Sequence, residues 1–196
     1  PVRWGLTGTV PKQEYEYMGI KVGLGEVTNK IPAKDLQDKG VLANCHVNVL
    51  QTNDVLEFRS YAEELKWLTT DTKRMSWVAQ TISDIATSGN TLILVDRISA
   101  GEILEKKIKD SVFIRGATKN MERKEHYDEV STAQTKVIIA TYGVAAVGIN
   151  IPRIFNLVLI EPGKSFVRVI QSIGRGIRKA EDKESVSIWD ITSACT

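Results

Sequence analysis

The sequence is poor in the residues that cross-link or ligate. Its 196 residues hold two cysteines, Cys45 and Cys195, far apart and with no Cys-x-x-Cys. That excludes a disulfide scaffold and a cysteine-rich zinc site, and makes a reducing cytosol the expected compartment. The two histidines, His46 and His126, are too few and too scattered for a histidine metal site, so no metal ligands are assigned. No apolar run approaches the ~20 residues that span a bilayer, so no membrane partner is expected. Pro1-Val2-Arg3-Trp4-Gly5 lacks the charged and apolar regions of a signal peptide. There is no excess of one charge either: 26 Lys and Arg face 24 Asp and Glu, a net charge of +2. A globally basic nucleic-acid binder is therefore not announced. What is present is ordinary for a folded soluble protein, with 42% hydrophobic and 26% charged residues. At roughly 150 residues per domain, the length predicts one domain, or one plus a piece of another.

Glycine and proline are unevenly placed. Five of the 14 Gly and three of the five Pro fall in residues 1–35, which predicts turns and short elements there. From about residue 47 the pattern is regular. Val47–Gln51 reads as a strand and 54–68 as a helix. A second helix is read over 72–87, with Met75, Val78, Ile82 and Ile85 on one face, ended by Ser88-Gly89-Asn90. Thr91–Val95, Val137–Ala140 and Leu157–Ile160 are short apolar runs, as expected of strands buried on both faces. Further strands are expected at 111–114 and 186–191, and helices at 100–109, 120–131 and 165–179. Alternating strands and helices over 47–196 predict an α/β domain, a mostly parallel sheet with helices on both faces. In such sheets function gathers in the loops after the strands. Here those loops begin at Asp96, Arg115, Thr141 and Glu161.

Two segments carry chemistry. From Lys164 to Lys179 there are five basic residues and no acidic one. In a helix, Arg168, Gln171, Arg175 and Arg178 fall within an arc of about 80°. Guanidinium forks suit phosphate oxygens. The same stripe reads equally as a solvated basic face at a helix carboxyl end. The other segment, Ala140–Pro152, is rich in small residues, and Thr141 could offer its hydroxyl and amide to a phosphate. It also reads as a well-packed strand-to-helix turn. Trp67, Trp77 and Trp189 read as core or interface residues rather than stacking platforms, the cysteines as buried or incidental, and His126 as solvated.

Together these segments resemble the superfamily-two helicases. Val137–Pro152 is similar to motif V, and Gln171-Ser172-Ile173-Gly174-Arg175-Gly176-Ile177-Arg178 to motif VI. Gly5-Leu6-Thr7-Gly8-Thr9 resembles motif III, and Thr91–Arg97 stands where motif IV would. The resemblance implies that residues 1–46 are the tail of a first RecA-like domain and a linker, and 47–196 a second RecA-like domain. It implies ATP and magnesium as cofactors, with ATP clamped between the two domains. Arg175 and Arg178 match the arginine fingers. Gln171, Gly148 and Asn150 match nucleotide-binding positions. Thr141, Gly116 and Arg97 match or adjoin contacts to the nucleic-acid backbone. Thr7, Gly8 and Thr9 match the motif that couples the two activities. Asn150 departs from the aspartate common in the family.

One departure matters more. No Gly-x-x-x-x-Gly-Lys-[Ser/Thr] loop and no Asp-Glu-x-His or Asp-Glu-Ala-Asp box occurs in the 196 residues. The phosphate loop and the magnesium ligands are then expected in a missing first domain, and the chain alone is not expected to hydrolyse ATP. The implied partners are single-stranded or branched DNA and that first domain. The implied task is remodelling DNA in recombination and repair, in the cytoplasm. An RNA helicase, a restriction-type translocase subunit and a non-catalytic RecA-like binding module remain as alternatives.

Overall fold

Strand β2 (Thr91–Val95) is buried at all five residues and divides its side chains between two cores. Ile93 and Val95 enter one cluster, Leu92 and Leu94 the other. Strand β4 (Val137–Thr141) does the same, with Val137 and Ile139 on the first side and Ile138 and Ala140 on the second. Strands apolar on both faces must be covered on both faces, and only a helix-flanked parallel sheet supplies that cover. The computed structural model describes residues 2–7, 10–11, 13–54, 56–148, 153–160 and 185–194.

The chain divides into two compact units, residues 1–42 and 43–196. The first contains α1 (Glu14–Leu24) and α2 (Ala33–Asp38), neither with a buried residue. An 11-residue helix here is more than the Gly and Pro content predicted. Glu14 and Glu16 in its first turn and Lys21 in its last favour the helix dipole. A Cβ on Gly19 or Gly23 would meet nothing within 4 Å, so these glycines line an open helix rather than interrupt it.

The second unit is a six-stranded, all-parallel sheet. Its strands are β1 (Asn44–Thr52), β2, β3 (Ser111–Ile114), β4, β5 (Asn156–Leu159) and β6 (Ser185–Ser193), in the order β1-β6-β5-β2-β4-β3. Between β1 and β2 lie α3 (Tyr61–Thr70) and α4 (Thr72–Ala86). Helix α5 (Ile98–Lys107) follows β2, α6 (Asn120–Thr132) follows β3, and α7 (Tyr142–Gly148) follows β4. Helices α4 and α5 cover the face of Ile93 and Ile139, while α6 and α7 cover that of Leu94 and Ile138. The first pair belongs to connections that step along the sheet one way, the second pair to connections that step the other way. A single crossover hand requires this division.

Most predicted elements stand where the pattern put them. The helix read over 54–68 is the exception, since α3 starts only at Tyr61. Ser60 sets that start: its side chain accepts from the Glu63 amide at 3.3 Å, and the Glu63 carboxylate accepts from the Arg59 amide at 3.2 Å. This reciprocal cap outweighs the apolar pattern upstream. The helix read over 165–179 lies outside the described residues. In α5, a Cβ on Gly101 would come within 2.3 Å of the Phe113 ring, so glycine is what lets α5 lie down on β3.

Two buried amides tie the amino ends of the strands together. Asn90 is fully buried; its Nδ2 donates to the carbonyls of Ala133 (2.9 Å), Val130 (3.0 Å) and Arg153 (3.1 Å), and its Oδ1 accepts from Lys136 N (2.8 Å). Asn156 donates to Ser88 Oγ at 2.9 Å and accepts from Trp189 Nε1 at 3.2 Å. Asp190, on the face of Ile188, is less well served. Its Oδ1 is buried without a hydrogen-bond partner among the described residues, and burial pushes its carboxyl above the usual range.

Asn90→Ala strands three carbonyls and an amide. At about 1–3 kcal/mol per buried group left unpaired, urea denaturation should show a loss of about 3 kcal/mol or more. A loss under about 1 kcal/mol contradicts the keystone role. For Asp190 the folded-state pKa lies above the unfolded one. Its contribution is therefore complete below the unfolded value and is lost as pH rises through the folded value. Asp190→Asn should raise Tm at neutral pH, with the advantage closing in acid. An advantage independent of pH would show that the charge is not its source.

Candidate nucleic-acid interface and nucleotide site

Three of the residues singled out from the sequence come together at the carboxyl rim of adjacent strands. Val95 pairs with Thr141 at the ends of β2 and β4, and Ile114 pairs with Ala140 at the end of β3. Arg97 is two residues past Val95, Gly116 two residues past Ile114, and Thr141 is the last residue of β4. With strands about 4.8 Å apart, β2, β4 and β3 place these loops along about 10 Å of rim. After β2 the chain turns to the face covered by α5, after β4 to the face covered by α7. Neighbouring strands that send their helices to opposite faces open a crevice between their carboxyl ends. Arg97 and Thr141 flank it.

Each loop is fixed locally. Arg97 is half-buried, sits in extended conformation at the N-cap of α5, and accepts there from the Gly101 amide at 3.3 Å. Its side chain makes no cap bond. Thr141 Oγ1 accepts from Val144 N at 3.4 Å, which starts α7 and leaves the hydroxyl proton available for an outside acceptor. The Gly116 loop is held from α6: Arg123 donates to the carbonyls of Arg115 (3.0 Å) and Gly116 (2.9 Å). Thr118 closes the turn, its amide donating to Arg115 O at 2.9 Å and its hydroxyl accepting from Arg115 N at 3.0 Å. Arg115 pairs with Glu102 at 2.6 Å. Gly116 itself is exposed, and a Cβ there would meet nothing within 4 Å, so packing alone does not demand glycine.

Gly148 is the last residue of α7. Thr7 lies in an irregular stretch of the first unit. Gly8, Thr9, Asn150, Gln171, Arg175 and Arg178 lie outside the described residues. Among the described residues there is no group of three or more metal-ligating side chains, and no helix long and apolar enough to cross a membrane. Cys45 is half-buried against the core, and burial pushes its thiol up, away from reactivity.

The sequence reading missed two features. Arg123 clamps the Gly116 loop; nothing in a polar helix marks it, because the signal is a contact across the turn. Trp77 is 44% exposed at the start of α4 and does not join the core, unlike Trp189, which packs against it. Its place off the stripe of Met75, Val78, Ile82 and Ile85 was the available sign.

Comparison with known proteins places this geometry. The chain is 24% identical over 200 residues to the ATP-dependent DNA helicase uvsW of Enterobacteria phage T4, covering 96% of this chain and 40% of that protein. The chain thus spans about two fifths of the length of that relative. The crystal structure of T4 UvsW matches with a TM-score of 0.63 at 23% identity, over 76% of this chain and 33% of that one. The C-terminal domain of the DEAD-box protein Dbp5 matches with a TM-score of 0.51 at 17% identity, over 78% of each chain. The Type ISP restriction-modification enzyme LlaBIII, solved bound to DNA, matches with a TM-score of 0.58 at 14% identity, over 90% of this chain and 14% of that one. At these identities the structures establish the shared fold. The model of the helicase conserved C-terminal domain matches residues 73–180, more than half of the sequence, and the chain belongs to that family.

Proposed function

We propose that this chain is the second motor domain of an ATP-dependent DNA helicase or translocase, one that remodels branched DNA in recombination and repair. The observation that carries the reading is the shared carboxyl rim of β2, β4 and β3, which brings Arg97, Thr141 and the Gly116 loop together in a helicase C-terminal domain. Exposed amides, a hydroxyl and a guanidinium on one rim suit successive backbone phosphates, and they ask nothing of base sequence. LlaBIII, whose domain shares this fold, is bound to DNA.

In this reading Arg175 and Arg178 are the arginine fingers, and Gln171, Gly148 and Asn150 contact the nucleotide. As a donor set they fit a triphosphate: two guanidiniums and two amides meet anionic oxygens, and no carboxylate stands among them. Magnesium would therefore take its ligands from the first RecA-like domain, which would also supply the phosphate loop. Bound ATP supplies the anhydride bond whose cleavage the fingers would assist, by offsetting charge on the transferring phosphoryl group. Thr7, Gly8 and Thr9 would couple the two domains, with residues 1–42 as the tail of the first and a linker; the strand β1 that starts at Asn44 moves the boundary from 46 to 42. Val2, Trp4 and Leu6 support this, being 81%, 85% and 98% exposed: apolar residues at this exposure suit a segment that packs elsewhere. The cytoplasm is the compartment this implies.

Two measurements test it. Binding of a single-stranded DNA oligonucleotide should weaken steeply with salt, by about 0.7 in log–log slope per phosphate neutralised. Arg97→Ala should weaken binding about three- to tenfold and reduce that slope by about one contact. Binding without salt dependence, or unaffected by Arg97→Ala, contradicts the rim. For catalysis, the 196-residue chain alone should not hydrolyse ATP. Joined to its first domain, Arg178→Ala should lower kcat about a thousandfold or more. Hydrolysis by the chain alone, abolished by Arg178→Ala, contradicts the division of labour. Stimulation by RNA rather than DNA would move the reading to an RNA helicase.

A further inference from the structure

A cavity of about 560 Å³ opens at the carboxyl end of β1, between the end of α3 and the start of α4. Thr52, Asn53 and Asp54 from β1 and its exit, Trp67 from α3, Asp71 between the helices, and Lys73, Arg74 and Trp77 from α4 line it, the two carboxylates balanced by the two cations. The Arg74 side chain is only 4% exposed. Its Nη1 donates to Thr52 Oγ1 at 3.4 Å and lies 3.8 Å from Asp54 Oδ2, and its guanidinium lies over the Trp67 ring, 6.0 Å from the centroid. Trp67 is held from its other neighbour by Phe58, whose centroid is 5.7 Å away. Trp77 is presented rather than buried, four residues after the exposed Lys73.

We infer that this cavity is a base-stacking subsite for single-stranded DNA. The inference rests on the nucleic-acid reading of the rim and extends it from backbone to base. Three features favour a nucleobase. The volume lies in the range of small-ligand sites. The apolar lining is indole alone, with no aliphatic side chain among the described lining residues, and Trp77, the exposed one, offers flat π surface. Thr52 and Asn53 bring polar groups to the edge of a ring, and Lys73 brings a cation to a flanking phosphate.

Position favours it too. β1 lies three strand spacings from β2, about 14 Å along the carboxyl rim. That is about four nucleotides of a stacked strand, and fewer of an extended one. A strand held at Arg97 and Thr141 can therefore place a base in the cavity. Thr52 to Asp71 of the lining precede residue 73, where the match to the family's domain model begins, and Lys73, Arg74 and Trp77 fall within it.

The test is the affinity of the chain for fluorescein-labelled dT12 and for an abasic strand of equal length. With stacking, dT12 binds more tightly than the abasic strand. Trp77→Ala weakens dT12 about tenfold or more, Trp77→Phe holds it within about threefold, and neither changes abasic binding by more than about twofold. Quenching of tryptophan fluorescence by dT12, and not by the abasic strand, reads the same contact in the unaltered chain should Trp77→Ala fail to fold. Equal binding of both strands, unchanged by Trp77→Ala, overturns the subsite and leaves the rim standing. Binding of neither strand overturns both. Self-association that Trp77→Ala abolishes, without a base effect, assigns the cavity to a second copy of the chain and overturns the inference.

Discussion

The side chain of Asn90 is the constraint on which the rest of this domain depends. A sheet buried on both faces has to return its chain to the amino ends of the strands after each strand but the last. Each return leaves carbonyls and amides to be satisfied in the turns at the amino ends of the strands. Asn90 gathers four of them. One amide serves the carbonyls at the end of α6, in the turn after it, and in the turn before β5, and accepts from the amide entering β4. Nδ2 has two hydrogens for three carbonyls, so the donation is shared, which suits a junction more than a single bond would. Asn156 closes the neighbouring turn, and Trp189 reaches across from β6 to bond it. With the amino ends fixed, register is fixed, and the carboxyl ends of β2, β4 and β3 finish level.

That levelling brings three ordinary loops onto one rim. Arg97, Thr141 and Gly116 are 19 to 44 positions apart in sequence but stand on consecutive strands. Their backbones are held by devices of different kinds: a helix start, a hydroxyl cap and an arginine clamp from α6. None of the three devices depends on a ligand, so the rim is formed in advance. Preorganised donors cost less to bind than donors that must be ordered on contact.

The fold was legible because its signal is local. Thr91–Val95 and Val137–Ala140 are short, apolar and doubly buried, and no other arrangement hides both faces. The start of α3 was misplaced because one serine cap at Ser60 decides it, and apolar spacing upstream carried no trace of that. The loops after the strands were legible from topology, and the structure brings Arg97, Gly116 and Thr141 onto adjacent strands; their binding role came from the family resemblance and stands as the proposal. Arg123 and the Trp77 cavity were not legible, since both are made by contacts between separate segments. Trp77 stands off the apolar stripe of its helix, which was the one sign in the sequence that it is not core.

The central claim is that the carboxyl rim of β2, β4 and β3 is the nucleic-acid surface. Amide hydrogen exchange of the chain, with and without a single-stranded DNA oligonucleotide, tests it most directly. The account predicts slowed exchange in residues 96–98, 115–118 and 141–144, with the turns at 87–90 and 133–136 at the opposite end unchanged. Slowing confined to those opposite turns, or none at the rim under conditions where the oligonucleotide is bound, would contradict it.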